Sequence, residues 1–209
     1  MEAGFWLSVT LACLLGAMSP GLSLAVIVNV SLSQGRVAGL VAATTHGVAI
    51  GLYAFVTASG LVAVLSRYEF AFDVLRIAGC LYLIWMALKL IFAKSDSSDD
   101  LVTDSSRSKW LAARDGFLIA LVNPKIIIFF TALFSQFVSI DSQLWEKSLM
   151  ALIAGGVDAL WYMFMAVVIS HSGSLIRYQR SARWLNKAFG FLLLLIVAGF
   201  IFQITIPGL

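Results

Sequence analysis

Leu121-Val122-Asn123-Pro124-Lys125-Ile126 decides how the rest of the chain is read. These residues sit inside an apolar run over residues 117–138. That run has the length of a bilayer-spanning helix, which needs about 20 predominantly apolar residues. Three of its side chains are costly in lipid. Pro124 removes a backbone donor and clashes with the carbonyl one turn back. Asn123 carries an amide that needs hydrogen-bond partners. Lys125 places an ammonium roughly half-way across, at about 3 kcal/mol on insertion scales. A helix carrying all three has to face the protein interior or a wet cavity, where unwound backbone is tolerated at membrane depth. The plainer alternative is a Pro kink with a snorkelling Lys, but Lys125 lies too deep to snorkel easily.

Working outward, the composition agrees. Mean hydropathy is +0.97, and 61% of the residues are hydrophobic against 12% charged. A soluble domain does not spread apolar sequence so evenly, which makes the chain an integral membrane protein. The fold class expected is all-α, with six transmembrane helices over residues 5–32, 39–65, 70–92, 117–138, 149–170 and 184–206. Each run exceeds the ~18-residue threshold for a spanning helix. Gly35-Arg36, Arg67-Tyr68-Glu69, Asp141-Ser142 and the basic stretch 177–183 punctuate them. The N-terminal run lacks the basic start of a signal peptide and reads as a retained helix. Residues 95–109, rich in Ser and Asp, cannot bury apolar surface and read as a linker. They divide the chain into a first three-helix unit, 1–94, and a second, 110–209.

The distribution of Lys and Arg orients the bundle. Arg36, Lys89, Lys94, Arg107, Lys109, Arg114, Arg177, Arg180, Arg183 and Lys187 fall on one side; Arg67, Arg76 and Lys147 fall on the other. The first side is cytoplasmic by this rule, which puts both termini outside. Trp6, Trp85, Trp145 and Trp184 read as interfacial anchors. Cys13 and Cys80, each inside an apolar run, read as packing residues.

The two units echo each other. Ser19-Pro20-Gly21 breaks the first helix, and Asn123-Pro124-Lys125 breaks the fourth. Ser33-Gln34 follows the first break and Ser135-Gln136 the second. His46-Gly47-Val48 through Tyr53-Ala54-Phe55 lies beside Gly155-Gly156-Val157 through Tyr162-Met163-Phe164. A three-helix unit that is repeated inserts in the opposite sense, so the expectation is two inverted repeats. Interrupted helices at corresponding positions of two such halves are the best sequence pointer to a transporter site.

Several stretches together resemble the lysine-exporter (LysE/RhtB-type) family of amino-acid exporters. They are Ser19-Pro20-Gly21 with Ser33-Gln34-Gly35-Arg36, Ala78-Gly79 with Tyr82-Leu83, and Asn123-Pro124-Lys125 with Phe129-Phe130 and Gln136-Phe137-Val138. Trp184-Leu185-Asn186-Lys187 before Gly190 completes the set. The resemblance spans nearly the whole chain apart from the linker. It departs at Leu22 and Ser23, where the family often carries Pro and then an acid or amide. It implies a secondary exporter of an amino acid or derivative in the inner membrane of a bacterium.

The residues suggest how such a site would work. The break at Pro20 leaves free amides on the helix beginning near Gly21, a positive end that suits a carboxylate. Unwound carbonyls before Pro20 and Pro124 suit an ammonium. Ser19, Pro20, Gly21, Ser23, Asn123, Pro124 and Lys125 are therefore the candidate substrate-binding residues. Back-bonding to their own helix is the plainer reading of the serines. Asp158 lies about eleven residues past Lys147, and Lys125 about as far past Arg114, so both sit roughly 17 Å deep. Opposite charges at one depth pair readily. Asp158, Lys125 and His46 are the candidates for proton coupling. A static buried salt bridge is the alternative for the first two, and a helix-to-helix hydrogen bond for His46. Asp115 reads as a helix cap, His171 as interfacial, and Ala43, Gly47 and Gly51 as a small-residue stripe for helix packing.

No nucleotide loop or catalytic motif is present, which favours secondary transport over a pump or an enzyme. No cofactor or metal is expected. The rivals are an exporter of another small solute or a metal cation, and an intramembrane enzyme. Scarce midplane Asp, Glu, His and Cys argue against the metal, and the enzyme would need a second group beside Asp158 or His46. The partners expected are a small-molecule amino acid and membrane lipid, without nucleic acid; homodimerisation stays open.

Overall fold

The computed structural model describes residues 3–19, 21–92, 108–169 and 174–205. Pro20, His171 and most of the 95–109 stretch lie outside the described residues. The described chain is all-helical: α1 Ala3–Met18, α2 Leu22–Ser33, α3 Arg36–Leu65, α4 Glu69–Ile91, α5 Lys109–Val122, α6 Pro124–Phe137, α7 Leu144–Ile169 and α8 Ser174–Thr205.

The helix ends follow from local chemistry. Asn123 is extended (φ −76°, ψ 109°), the conformation a residue before proline prefers. It closes α5 and caps α6, and its Oδ1 accepts the Lys125 N–H at 3.1 Å. Pro124 takes the first helical position, where a missing N–H costs nothing. Gly21, also extended, opens α2. Gly35 has φ +86°, a left-handed value that favours glycine, and turns the chain from α2 into α3. Glu146 in the first turn of α7 accepts the Gln143 N–H at 2.8 Å.

Arg36–Val64, Phe70–Lys89 and Leu144–Ile169 are each long and apolar enough to cross a membrane. The α1–α2 pair, bent by 63°, and the α5–α6 pair, bent by 56°, meet the same criterion when each is taken as one broken span. Among the described residues that makes three to five spans. In α8 the apolar part, Lys187–Phe202, is shorter. The basic stretch 177–183, expected as a break between spans, is helical and continuous with α8. Gly190 packs against Ala87 near the end of α4, so the residues before it run past that end. A 32-residue helix is roughly 48 Å long, against a hydrocarbon core of about 30 Å.

The centre of the bundle is the α3–α7 pair. A Cβ on Gly47 would lie 2.6 Å from the Gly155 carbonyl oxygen, and a Cβ on Gly155 would lie 2.6 Å from that of Gly47. Gly116 of α5 meets the backbone of Ala42, and Gly79 of α4 that of Ala132 in α6. Lipid supplies no hydrophobic drive for helices to associate, so close backbone approach through small residues does this work. The expected stripe of Ala43, Gly47 and Gly51 is therefore at a real crossing. α5 also packs on α3 and α1 on α7, while α4 lies on α6 and α8 on α4 and α1. Leu152, Leu160, Val56 and Phe70 point outward and exposed. An apolar exterior of that extent suits a bilayer, not water. Trp6 and Trp145 meet at 6.0 Å, placing the start of α1 beside the start of α7.

Candidate functional site

The broken helices face each other. Lys125, in the first turn of α6, reaches to the end of α1, where its Nζ donates to the Ser19 carbonyl and to Ser19 Oγ, both at 2.8 Å. The break strands carbonyls at that end of α1, and the helix dipole is negative there, so a cation is well placed. Asn123 ties the other half in: its Nδ2 donates to Ser23 Oγ at 3.1 Å, in the first turn of α2. Ser19, Ser23 and Asn123 are buried. One amide thus caps α6 with its oxygen and holds α2 with its nitrogen.

Across from this network, on the α3–α7 pair, His46 Nδ1 lies 2.6 Å from Asp158 Oδ2. Both residues are buried. The edge of Tyr162 packs against the His46 ring at 4.8 Å between centroids. Among the described residues, His46 Nε2 has no hydrogen-bond partner.

Both groups line one cavity of about 30 Å³. Its polar wall is Ser19, Ser23, Asn123, Lys125, His46, Asp158 and Tyr162; its apolar wall includes Ile50, Ile126, Phe129, Phe130 and Ala154. Of the residues singled out in the sequence, Ser19, Gly21, Ser23, Asn123, Lys125, His46 and Asp158 all reach it. Pro124 starts α6 without being among the described lining residues, and Pro20 lies outside the described residues.

Two expectations change. Asp158 pairs with His46, and the Lys125 ammonium donates to Ser19. Lys125 and Asp158 line one cavity, but depth along a helix does not give rotation about its axis. α7 packs on α3, α1 and α2. Because Gly155 touches Gly47, Asp158 one turn on faces the His beside Gly47. The helix-to-helix hydrogen bond weighed for His46 is the one found. Asp115 is not a cap, since α5 begins at Lys109 after Ser108; it sits beside Arg114, 3.2 Å away. Tyr162 and the wall of Ile50, Phe129 and Phe130 were missed. Tyr162 follows Asp158 by one helical turn on the same face, a spacing that would have flagged it.

These features define a multi-pass helical membrane protein with a polar, charged cavity built where two spans break. The family described as LysE type translocator matches residues 14–203, and the chain belongs to that family. It is 30% identical, over 82% of its length and 78% of the relative's, to the uncharacterized membrane protein YahN of Escherichia coli (strain K12). It is 26% identical to a homoserine/homoserine lactone efflux protein of Salmonella typhimurium, over 95% of this chain and 96% of that one. A leucine efflux protein of Enterobacter sp. (strain 638) is 24% identical over 94% and 92%. No solved structure matches the chain.

Proposed function

We propose that the chain is a secondary exporter that moves an amino acid or amino-acid derivative out of the bacterial cytoplasm across the inner membrane, driven by the proton motive force. The observation that carries this reading is the single cavity where two helix breaks meet a buried His–Asp pair. The names of the efflux relatives support an amino-acid substrate. The cavity supports it independently. Lys125 and the start of α2 favour a carboxylate, and the Ser19 carbonyl and the Asp158–His46 pair favour an ammonium. In an alternating-access cycle the halves of the broken spans separate to admit and release the substrate at this cavity.

Six spans arranged as two inverted units, α1–α4 and α5–α8, with both termini outside, fit the matching breaks. The packing of α5 on α3 and of α1 on α7 supports the symmetry; α4 on α6 and α8 on α1 depart from it. Proton coupling falls to Asp158 and His46, whose Nε2 is the position open to a proton or a substrate group. The test is efflux from proteoliposomes holding the purified chain. Leucine or homoserine should move uphill when a pH gradient is imposed and stop when an uncoupler collapses it. Movement unaffected by the uncoupler would refute proton coupling.

A further inference from the structure

We infer that Lys89 is the first binding contact on the cytoplasmic approach to the cavity, holding the substrate's carboxylate before it passes to Lys125. This rests on the exporter reading and adds to its path a residue outside the cavity. The placement comes from how α4 lies on α6. Gln136 Nε2 donates to the Arg76 carbonyl at 2.9 Å, and a Cβ on Gly79 would lie 3.0 Å from the Cα of Ala132. A step forward along α4 is therefore a step back along α6, and the two helices run antiparallel. Lys89 comes ten residues after Gly79, about 15 Å on, and Lys125 comes seven before Ala132, about 10 Å back. Lys89 thus stands about 5 Å beyond Lys125, past the first residue of α6. By the Lys/Arg asymmetry that direction is cytoplasmic.

Lys125 is part of the cavity wall, and Lys89 is not among the described lining residues. Gly190 of α8 packs on Ala87 and Ile91. Lys89, two residues from each, is on the opposite side of α4, turned away from α8. There it is exposed, with its Nζ over the Trp85 ring, 5.1 Å from the centroid. That contact steadies the side chain and leaves its charge in place. The Lys89 and Lys125 ammoniums are near enough to repel each other. They stand at the start of α6, the positive end of its dipole. An anion is drawn to such a place, and a carboxylate that arrives there relieves the repulsion. Lys89 meets it first because it lies outside the cavity, and Lys125 receives it within.

The experiment uses everted membrane vesicles, whose cytoplasmic face is turned out, from cells expressing the full-length chain. Uptake of labelled leucine or homoserine gives KM and kcat at that face. In Lys89→Met the KM should rise roughly tenfold with kcat within about twofold, because an entry contact contributes to binding and not to later steps. Lys89→Arg should restore the KM. On the unaltered chain the KM should rise with ionic strength, and Lys89→Met should lose most of that dependence. Leucinamide carries the ammonium without the carboxylate, and its competition with leucine should not weaken in Lys89→Met. A folded Lys89→Met protein with an unchanged KM overturns the inference, as does a fall in kcat alone, which would make Lys89 an interfacial anchor. An equal loss of affinity for leucine and leucinamide also overturns it, because the anion at Lys89 is then a lipid phosphate. If Lys89→Met does not fold, the unaltered chain decides: a KM indifferent to salt overturns the inference. Absence of uptake of every amino acid by the unaltered chain overturns the exporter reading, and the inference falls with it.

Discussion

Breaking the His46–Asp158 contact one side at a time should reveal a strong coupling. Removing one partner of a buried charged pair strands the other and typically costs about 3–5 kcal/mol, more than replacing both together. Hydrogen bonds between membrane helices average about 0.6 kcal/mol in double-mutant cycles and reach about 1.7. The His46–Asp158 contact, at 2.6 Å, is shorter than an ordinary N–H···O bond of about 2.9 Å. Charge-assisted bonds are roughly twice as strong as neutral ones. His46→Ala, Asp158→Ala and the double variant should therefore give a coupling energy of about 1.5–3 kcal/mol. Reversible unfolding in mixed micelles measures it, and the cycle cancels the cavity left by each truncation. A matched cycle between Lys125→Met and Asp158→Ala should give a smaller coupling, because the bonds run from Lys125 to Ser19 and from Asp158 to His46. A His46–Asp158 coupling below about 0.6 kcal/mol, or a larger one for Lys125 with Asp158, would refute the pairing.

Asn123→Ala should destabilise the fold by about 1 kcal/mol for the lost cap alone. It should also abolish transport, since Ser23 loses its tie to α6; thermal melting and counterflow check the two effects separately. Gly155→Ala should lower the yield of folded protein because its Cβ would sit 2.6 Å from the Gly47 carbonyl oxygen, whereas Gly156→Ala, with open space at its Cβ, should be silent; size-exclusion profiles in detergent distinguish them. For topology, native Cys13 and Cys80 are buried, so background labelling by an impermeant thiol reagent should be low. In intact cells Asp141→Cys should label and Ser98→Cys should not; the reverse pattern would invert the orientation.

Apolar run length made most of the helices legible, because a bilayer demands it. The break at Asn123-Pro124-Lys125 was legible residue by residue, since proline, a polar amide and an ammonium each carry a known cost in lipid. The two halves of each broken span could not be separated by hydropathy, which does not change across Pro124. The start of α8 was hidden for the opposite reason. A helix that runs past its neighbour into a basic stretch loses hydropathy without losing its backbone hydrogen bonds. At the site, depth along a helix could be counted from flanking charges for Asp158 and Lys125, and both line the cavity together with His46. Their partners could not, because pairing depends on which faces meet. That is set by Gly47 against Gly155, two small residues whose crossing becomes visible only once both helices are placed. Ile50, Phe129 and Phe130 look like any other core residues in the sequence.

The central claim is that substrate movement through the cavity is tied to the proton state of the Asp158–His46 pair. The most direct measurement is counterflow across a range of external pH in proteoliposomes, comparing the unaltered chain with Asp158→Asn while its fold is followed by thermal melting. The account predicts pH-dependent transport for the former and, for a folded Asp158→Asn protein, transport that is lost or no longer responds to pH. A folded Asp158→Asn protein that transports at the unaltered rate, with the same pH dependence, would contradict it.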